Sequence, residues 1–148
     1  MKRFFLTLAT MATLSACQNT PSSNGTNKET AQEQASSRID SLKNLVMDVH
    51  DETMEQMGEI KRLRQDLAAV QDTTYISTAE RDTAIDHLRK AHEGMMNWMR
   101  NYKEVDDVKD WSPEKKANYL KAQKDQVEQL KEYTAISLQE AKEILHKH

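Results

Sequence analysis

Ile39, Leu42, Val46, Val49, Thr53, Ile60, Leu63, Leu67 and Val70 recur mostly at alternating steps of three and four residues. An apolar stripe with that rhythm lies along one side of an α-helix and cannot line one face of a strand. The stripe runs from about Ser37 to Gln71 and meets one glycine, Gly58, and no proline. At 1.5 Å per residue this predicts a rod of roughly 50 Å with a coiled-coil-like seam. Asp72-Thr73-Thr74-Tyr75-Ile76 breaks the pattern, and Ser77-Thr78-Ala79-Glu80 reads as a capping box that starts a second helix over about 78–105. The second seam is Ile85, Leu88, His92, Met95, Met99 and Tyr102. Ser112-Pro113 opens a third helix over about 113–146, with serine as the N-cap and proline at the first helical position. Its seam is Leu120, Val127, Leu130, Thr134, Leu138, Ala141 and Leu145. Short connections between long helices make neighbours antiparallel. The expected fold is all-α: an antiparallel up-down-up three-helix bundle over residues 37–148, with long coiled-coil-like helices.

Ahead of that domain the chain has a different grammar. Lys2 and Arg3 precede an apolar run from Phe4 to Ala12, and Leu14-Ser15-Ala16-Cys17 follows. A basic start, a short apolar middle and a small-residue site describe a secretory signal peptide. The run is too short for the roughly 20 residues of a spanning helix. The cysteine after Leu-Ser-Ala resembles a bacterial lipobox, which implies cleavage after residue 16 and lipid on Cys17. Gln18, not aspartate, follows the cysteine. The resemblance therefore implies an outer-membrane location, facing the periplasm, with the cell surface as the other orientation. Residues 17–36 are rich in Ser, Thr, Asn and Gln, with Pro21 and Gly25, and read as the lipidated cysteine and a flexible tether.

Composition narrows the function classes. Without Lys2 and Arg3 the chain carries 19 basic against 24 acidic residues, a net charge of -5. Nucleic acid needs a basic face and is not an expected partner. Cys17 is the only cysteine, so the domain has neither a disulfide nor a thiolate metal site. His-Glu-x-x-His, Gly-x-Ser-x-Gly and a phosphate-cradling glycine loop are all missing, and no catalysis is expected. The acidic residues Asp48, Asp51, Glu52, Glu55 and Glu59 read as a solvated helix face, and His146 and His148 as frayed surface residues.

Methionine is unevenly placed. Outside the leader it occurs only at Met47, Met54, Met57, Met95, Met96 and Met99, with His50 and His92 in or beside the same two windows. Folding back about residues 74 and 75 brings Met57 level with His92, Met54 with Met95, and His50 with Met99. Thioether sulfur selects Cu(I) and imidazole accepts either oxidation state of copper. His50, Met54, Met57, His92, Met95 and Met99 are therefore candidate copper ligands. Methionine is equally an adaptable core filler against an aromatic such as Trp98, and it also builds versatile partner grooves. Gly58 and Gly94 face away from the seams, with close approach of another chain as one reading.

The stretches 46–60 and 91–99 resemble the small lipoproteins of Bacteroidota that carry the label viral A-type inclusion protein. The resemblance implies an envelope location and a helical fold, and it brings no catalytic residues with it. The expected role is binding or interaction with a protein partner in the envelope, no cofactor required. Copper buffering by the methionine/histidine layer, and a structural spacer or chaperone-like bundle, are the alternatives.

Overall fold

The computed structural model describes residues 26–71 and 77–147. The leader, Cys17, residues 18–25 of the expected tether, the connection 72–76 and His148 lie outside the described residues. What is described is all helical: α1 (Thr26–Glu55), α2 (Met57–Ala69), α3 (Thr78–Asn101) and α4 (Pro113–His146). Three helical rods pack together, because α2 continues the line of α1 after one turn residue, Gln56. No helix among the described residues is long and apolar enough to cross a membrane.

The helix starts follow their caps. Ser77 Oγ accepts the Glu80 N–H at 3.1 Å while the Ser77 N–H donates to Glu80 Oε2 at 3.0 Å, the reciprocal pair of a capping box. Ser112 Oγ accepts the Lys115 N–H at 3.2 Å, and Pro113 opens α4.

Three boundaries differ from the sequence reading. First, α1 starts at Thr26, not Ser37, so residues 26–36 are helical. Ile39 is the first buried residue of α1, and every residue from Glu29 to Arg38 is exposed except Ala35, which is half-buried. Second, α3 ends at Asn101, where the Tyr102 N–H closes onto the Trp98 carbonyl at 2.9 Å; Val105 is buried beyond the helix. Third, the long first helix is broken at Gln56. Thr53 Oγ1 donates to the Val49 carbonyl at 2.7 Å, a back-bond that loosens a helix. The Gln56 N–H then turns onto the Thr53 carbonyl, three residues back, at 3.1 Å. Gly58, a weak helix former, follows in open space, with nothing within 4 Å of where a Cβ would sit.

That break coincides with a division of the core. One cluster gathers Ile60, Leu63, Leu67 and Val70 of the α2 segment, Ala84, Leu88 and Ala91 of α3, and Leu138, Ala141 and Ile144 of α4. The other gathers Ile39, Val46, Met95, Trp98, Val105, Ala117, Leu120 and Val127, with Met54, Met57, Met96, Tyr102 and Tyr119 packed on it. Met57 touches both. Thr53, Thr134 and Ser137 are fully or almost fully buried as well, and two of them satisfy their hydroxyls locally, Ser137 on the Tyr133 carbonyl at 2.8 Å.

Side-chain ties cross between the rods. Lys131 pairs with Glu52, Lys142 with Glu59 at 3.0 Å, and His87 Nδ1 meets Glu140 Oε2 at 2.6 Å. Lys43 reaches Asp106 at 2.6 Å and Glu104 at 2.7 Å. The hydrogen bond to Asp106, then that to Glu104, holds the Lys43 ammonium well above its usual range. Arg81 donates to the Val70 carbonyl at 3.1 Å, joining the end of α2 to the start of α3.

Candidate functional site

The core face of α3 is set one residue away from the expected seam. Ala84, Leu88, Ala91, Met95 and Trp98 are buried. His92 is half-exposed and Met99 is 41% exposed. The reason is steric. Alanine at 84 and 91 lets neighbouring helices come close, and the indole at 98 carries more apolar area to bury than Met99. His50 consequently meets Trp98, not Met99, with ring centroids 5.4 Å apart.

The candidate ligands therefore separate. Met95 is fully buried in the second cluster, and Met54 and Met57 pack against it. His50 is buried beside them, its Nδ1 paired with Asp51 Oδ1 at 2.8 Å. His92 sits with Glu93, Met96, Asn97 and Arg100 around a shallow hollow on α3, and Met99 points to solvent. Among the described residues, no group of three or more His, Cys, Asp or Glu is placed to hold a metal ion. The acidic residues 48, 51, 52 and 55 are exposed, whereas Glu59 is half-buried and pairs with Lys142. His146 is exposed.

From His50 the aromatic contacts continue along the molecule. Trp98 lies 5.1 Å from Tyr102, Tyr102 lies 6.1 Å from Tyr119, and Tyr119 lies 5.2 Å from Trp111, over which Lys115 places its ammonium at 4.5 Å. Such a cation over an indole face is a favourable electrostatic contact. Tyr119 Oη accepts the Lys103 N–H at 2.5 Å and so pins the α3–α4 connection to α4. Burial, reinforced by the charge of Glu104, pushes the Tyr102 phenol up to about 12. His50 Nε2, Trp98 Nε1 and Tyr102 Oη are all buried without a hydrogen-bond partner, an uncommon concentration of costly atoms in one run of contacts.

Trp98 also lines a groove of about 360 Å³ between α3 and α4. Asn97 and Asn101 form its α3 wall, Gln123, Gln126 and Gln129 its α4 wall, and Leu130 completes it. Gly94 has a packing role here that the sequence did not reveal. A Cβ at Gly94 would stand 2.8 Å from Leu130 Cδ2, so the glycine makes room for Leu130 against α3. The amide wall also escaped the sequence reading. Its signal was a charge-free run at steps of three, in a chain of which 30% is charged.

No protein-family model, curated protein or solved structure matches the chain.

Proposed function

We propose that the chain is a lipid-anchored outer-membrane protein, facing the periplasm, whose helical domain acts by binding or interaction without catalysis. The observation that carries this reading is Leu14-Ser15-Ala16-Cys17 at the end of a basic and then apolar leader. Acyl chains on Cys17 would hold the protein firmly, since each buried methylene contributes about 0.8 kcal/mol. The binding half is supported by the amide-lined groove between α3 and α4. An up-down-up order of the rods fits the ties between them. Glu52–Lys131 and Glu59–Lys142 advance together along the chain, whereas Gly94–Leu130 and His87–Glu140 run oppositely. The three-and-four spacing of Ile60, Leu63, Leu67 and Val70 supports a coiled-coil-like seam.

Expression in a bacterial host with labelled palmitate tests the anchor. The wild-type protein should take up label and stay with the membrane fraction, and Cys17→Ser should do neither. Label on Cys17→Ser, or an unlabelled wild type, would remove the reading.

Copper is the second reading. It is favoured by His50 Nε2, buried and unpartnered, beside a cluster holding Met54, Met57 and Met95. An anaerobic Cu(I) titration against a competing chelator, with His146 and His148 replaced, should show one tight equivalent that Met95→Leu weakens. Unchanged uptake in Met95→Leu, or no uptake at all, would sink it.

A further inference from the structure

We propose that the α3–α4 groove is a binding site for a neutral saccharide, gripped by its carboxamides beside Trp98. The inference deepens the binding half of the proposed function and is independent of the anchor.

The lining excludes the other common ligand classes. No lysine, arginine, aspartate or glutamate lines the groove, so an ionic ligand would lose its hydration without a counter-charge. Leu130 and Trp98 are the only apolar or aromatic residues of the lining, too few for the apolar face of a helix. The remaining walls are carboxamides, each carrying one acceptor oxygen and two donor hydrogens. A hydroxyl both donates and accepts, so a polyhydroxylated ring can satisfy such a wall in either direction. The groove holds about 360 Å³ and is open to solvent, so it would take a ligand along one face.

Two of the amides are already oriented. Arg100 Nη2 donates to Asn97 Oδ1, which leaves the Asn97 amide hydrogens as donors. Asn101 Nδ2 donates to the Asn97 carbonyl at 2.8 Å, which leaves Asn101 Oδ1 as an acceptor. Trp98 is 7% exposed and its Nε1 has no partner. The indole lines the groove, so a ligand hydroxyl there lies beside the ring.

Spacing distinguishes a saccharide from an extended peptide. Gln123, Gln126 and Gln129 follow each other at three residues, about 4.5 Å along a helix axis. Like-facing groups of an extended peptide recur at about 6.6 Å, so a peptide falls out of step with the row. A sugar ring carries several hydroxyls within the reach of two successive glutamines of the row.

The test uses the full chain, isotope-labelled, in zwitterionic micelles, in a Trp111→Phe background that leaves Trp98 as the single indole. The probes are the N-acetylglucosamine tetramer, maltotetraose and a neutral Gly/Ser peptide. Either saccharide should shift the Trp98 indole N–H resonance. Gln126→Leu/Gln129→Leu, two exposed positions, should weaken that binding about tenfold, the scale of one lost hydrogen bond, at unchanged melting temperature. A response to the N-acetylglucosamine tetramer alone assigns a wall-type glycan, and one to maltotetraose alone a glucan. No shift with either saccharide, a shift that survives the double variant, or a shift by the peptide alone overturns the proposal. None of those results would alter the palmitate outcome, so the two readings fail separately.

Discussion

Around Leu88 the core is aliphatic, with Ala84 and Ala91 giving α3 a close approach to its neighbours. Around Met95 the same helix presents methionine and indole instead, and α4 answers with Ala117, Leu120 and Val127. The aliphatic end is the arrangement expected of a seam whose only task is to hold helices together. The other end uses larger and more adaptable side chains, and it leaves His50 Nε2, Trp98 Nε1 and Tyr102 Oη unpartnered. Buried donors and acceptors of that kind oppose folding, so this end of the core is held together against a cost.

The sharpest way to break this contrast is to cut a fully buried side chain from each end. Leu88→Ala should cost about 4 kcal/mol in urea unfolding, since its neighbours are short and fixed in place. Met95→Ala should cost less, about 2–3 kcal/mol, because Met54, Met57 and Met96 can relax into the space. A larger loss for Met95→Ala would remove the distinction.

Between the ends, Thr134 Oγ1 is buried without a partner. Thr134→Val should raise stability by about 1 kcal/mol, read as a higher urea midpoint at unchanged slope. A drop would mean that the hydroxyl is satisfied in solution. At the aliphatic end, Ser77→Ala should cost about 1 kcal/mol by removing one side of the capping box. An unchanged melting temperature would show that the cap adds nothing to the packing of Ala84 and Leu88.

The last effect concerns Tyr102 and shows only at alkaline pH. Its folded pKa lies above the ordinary tyrosine value of 10.0, at about 12, chiefly through burial. The folded state therefore holds the phenolic proton more tightly than the unfolded chain. Stability from this group is complete below pH 10, and it falls as pH rises from about 10 toward 12. Tyr102→Phe should flatten that alkaline decline, and one fewer late-titrating phenol should appear in the phenolate absorbance.

Much of this architecture was legible in the chain. The stripe from Ile39 to Val70, the Ser77–Glu80 box and Ser112-Pro113 each state a local rule that packing then obeys. The phase of α3 was not. The expected seam selects Ile85, His92 and Met99, whereas the packed helix selects Ala84, Ala91 and Trp98. Alanine carries little hydrophobic signal yet marks where two backbones can approach. The same shortfall hid Gly94, whose role depends on a leucine 36 positions away. The break at Gln56 did have a trace, since the apolar rhythm skips from Thr53 to Ile60 there. The amide groove left only the three-residue spacing of Gln123, Gln126 and Gln129 on α4, since it exists as a groove only when Asn97 and Gln126 face each other across α3 and α4. The helix from Thr26 escaped for a further reason. Residues 29–38 bury almost nothing, so no apolar periodicity could announce it.

The aromatic succession from His50 through Trp98, Tyr102 and Tyr119 to Trp111 gives the molecule an optical character of its own. At centroid spacings of 5.1 to 6.1 Å, light absorbed by Tyr102 or Tyr119 is passed to an adjacent indole before it can be emitted. Both indoles touch that pair of phenols. The tryptophan glow under tyrosine excitation thus reads out whether the α3–α4 connection is still folded onto the helices, without any dye or tag.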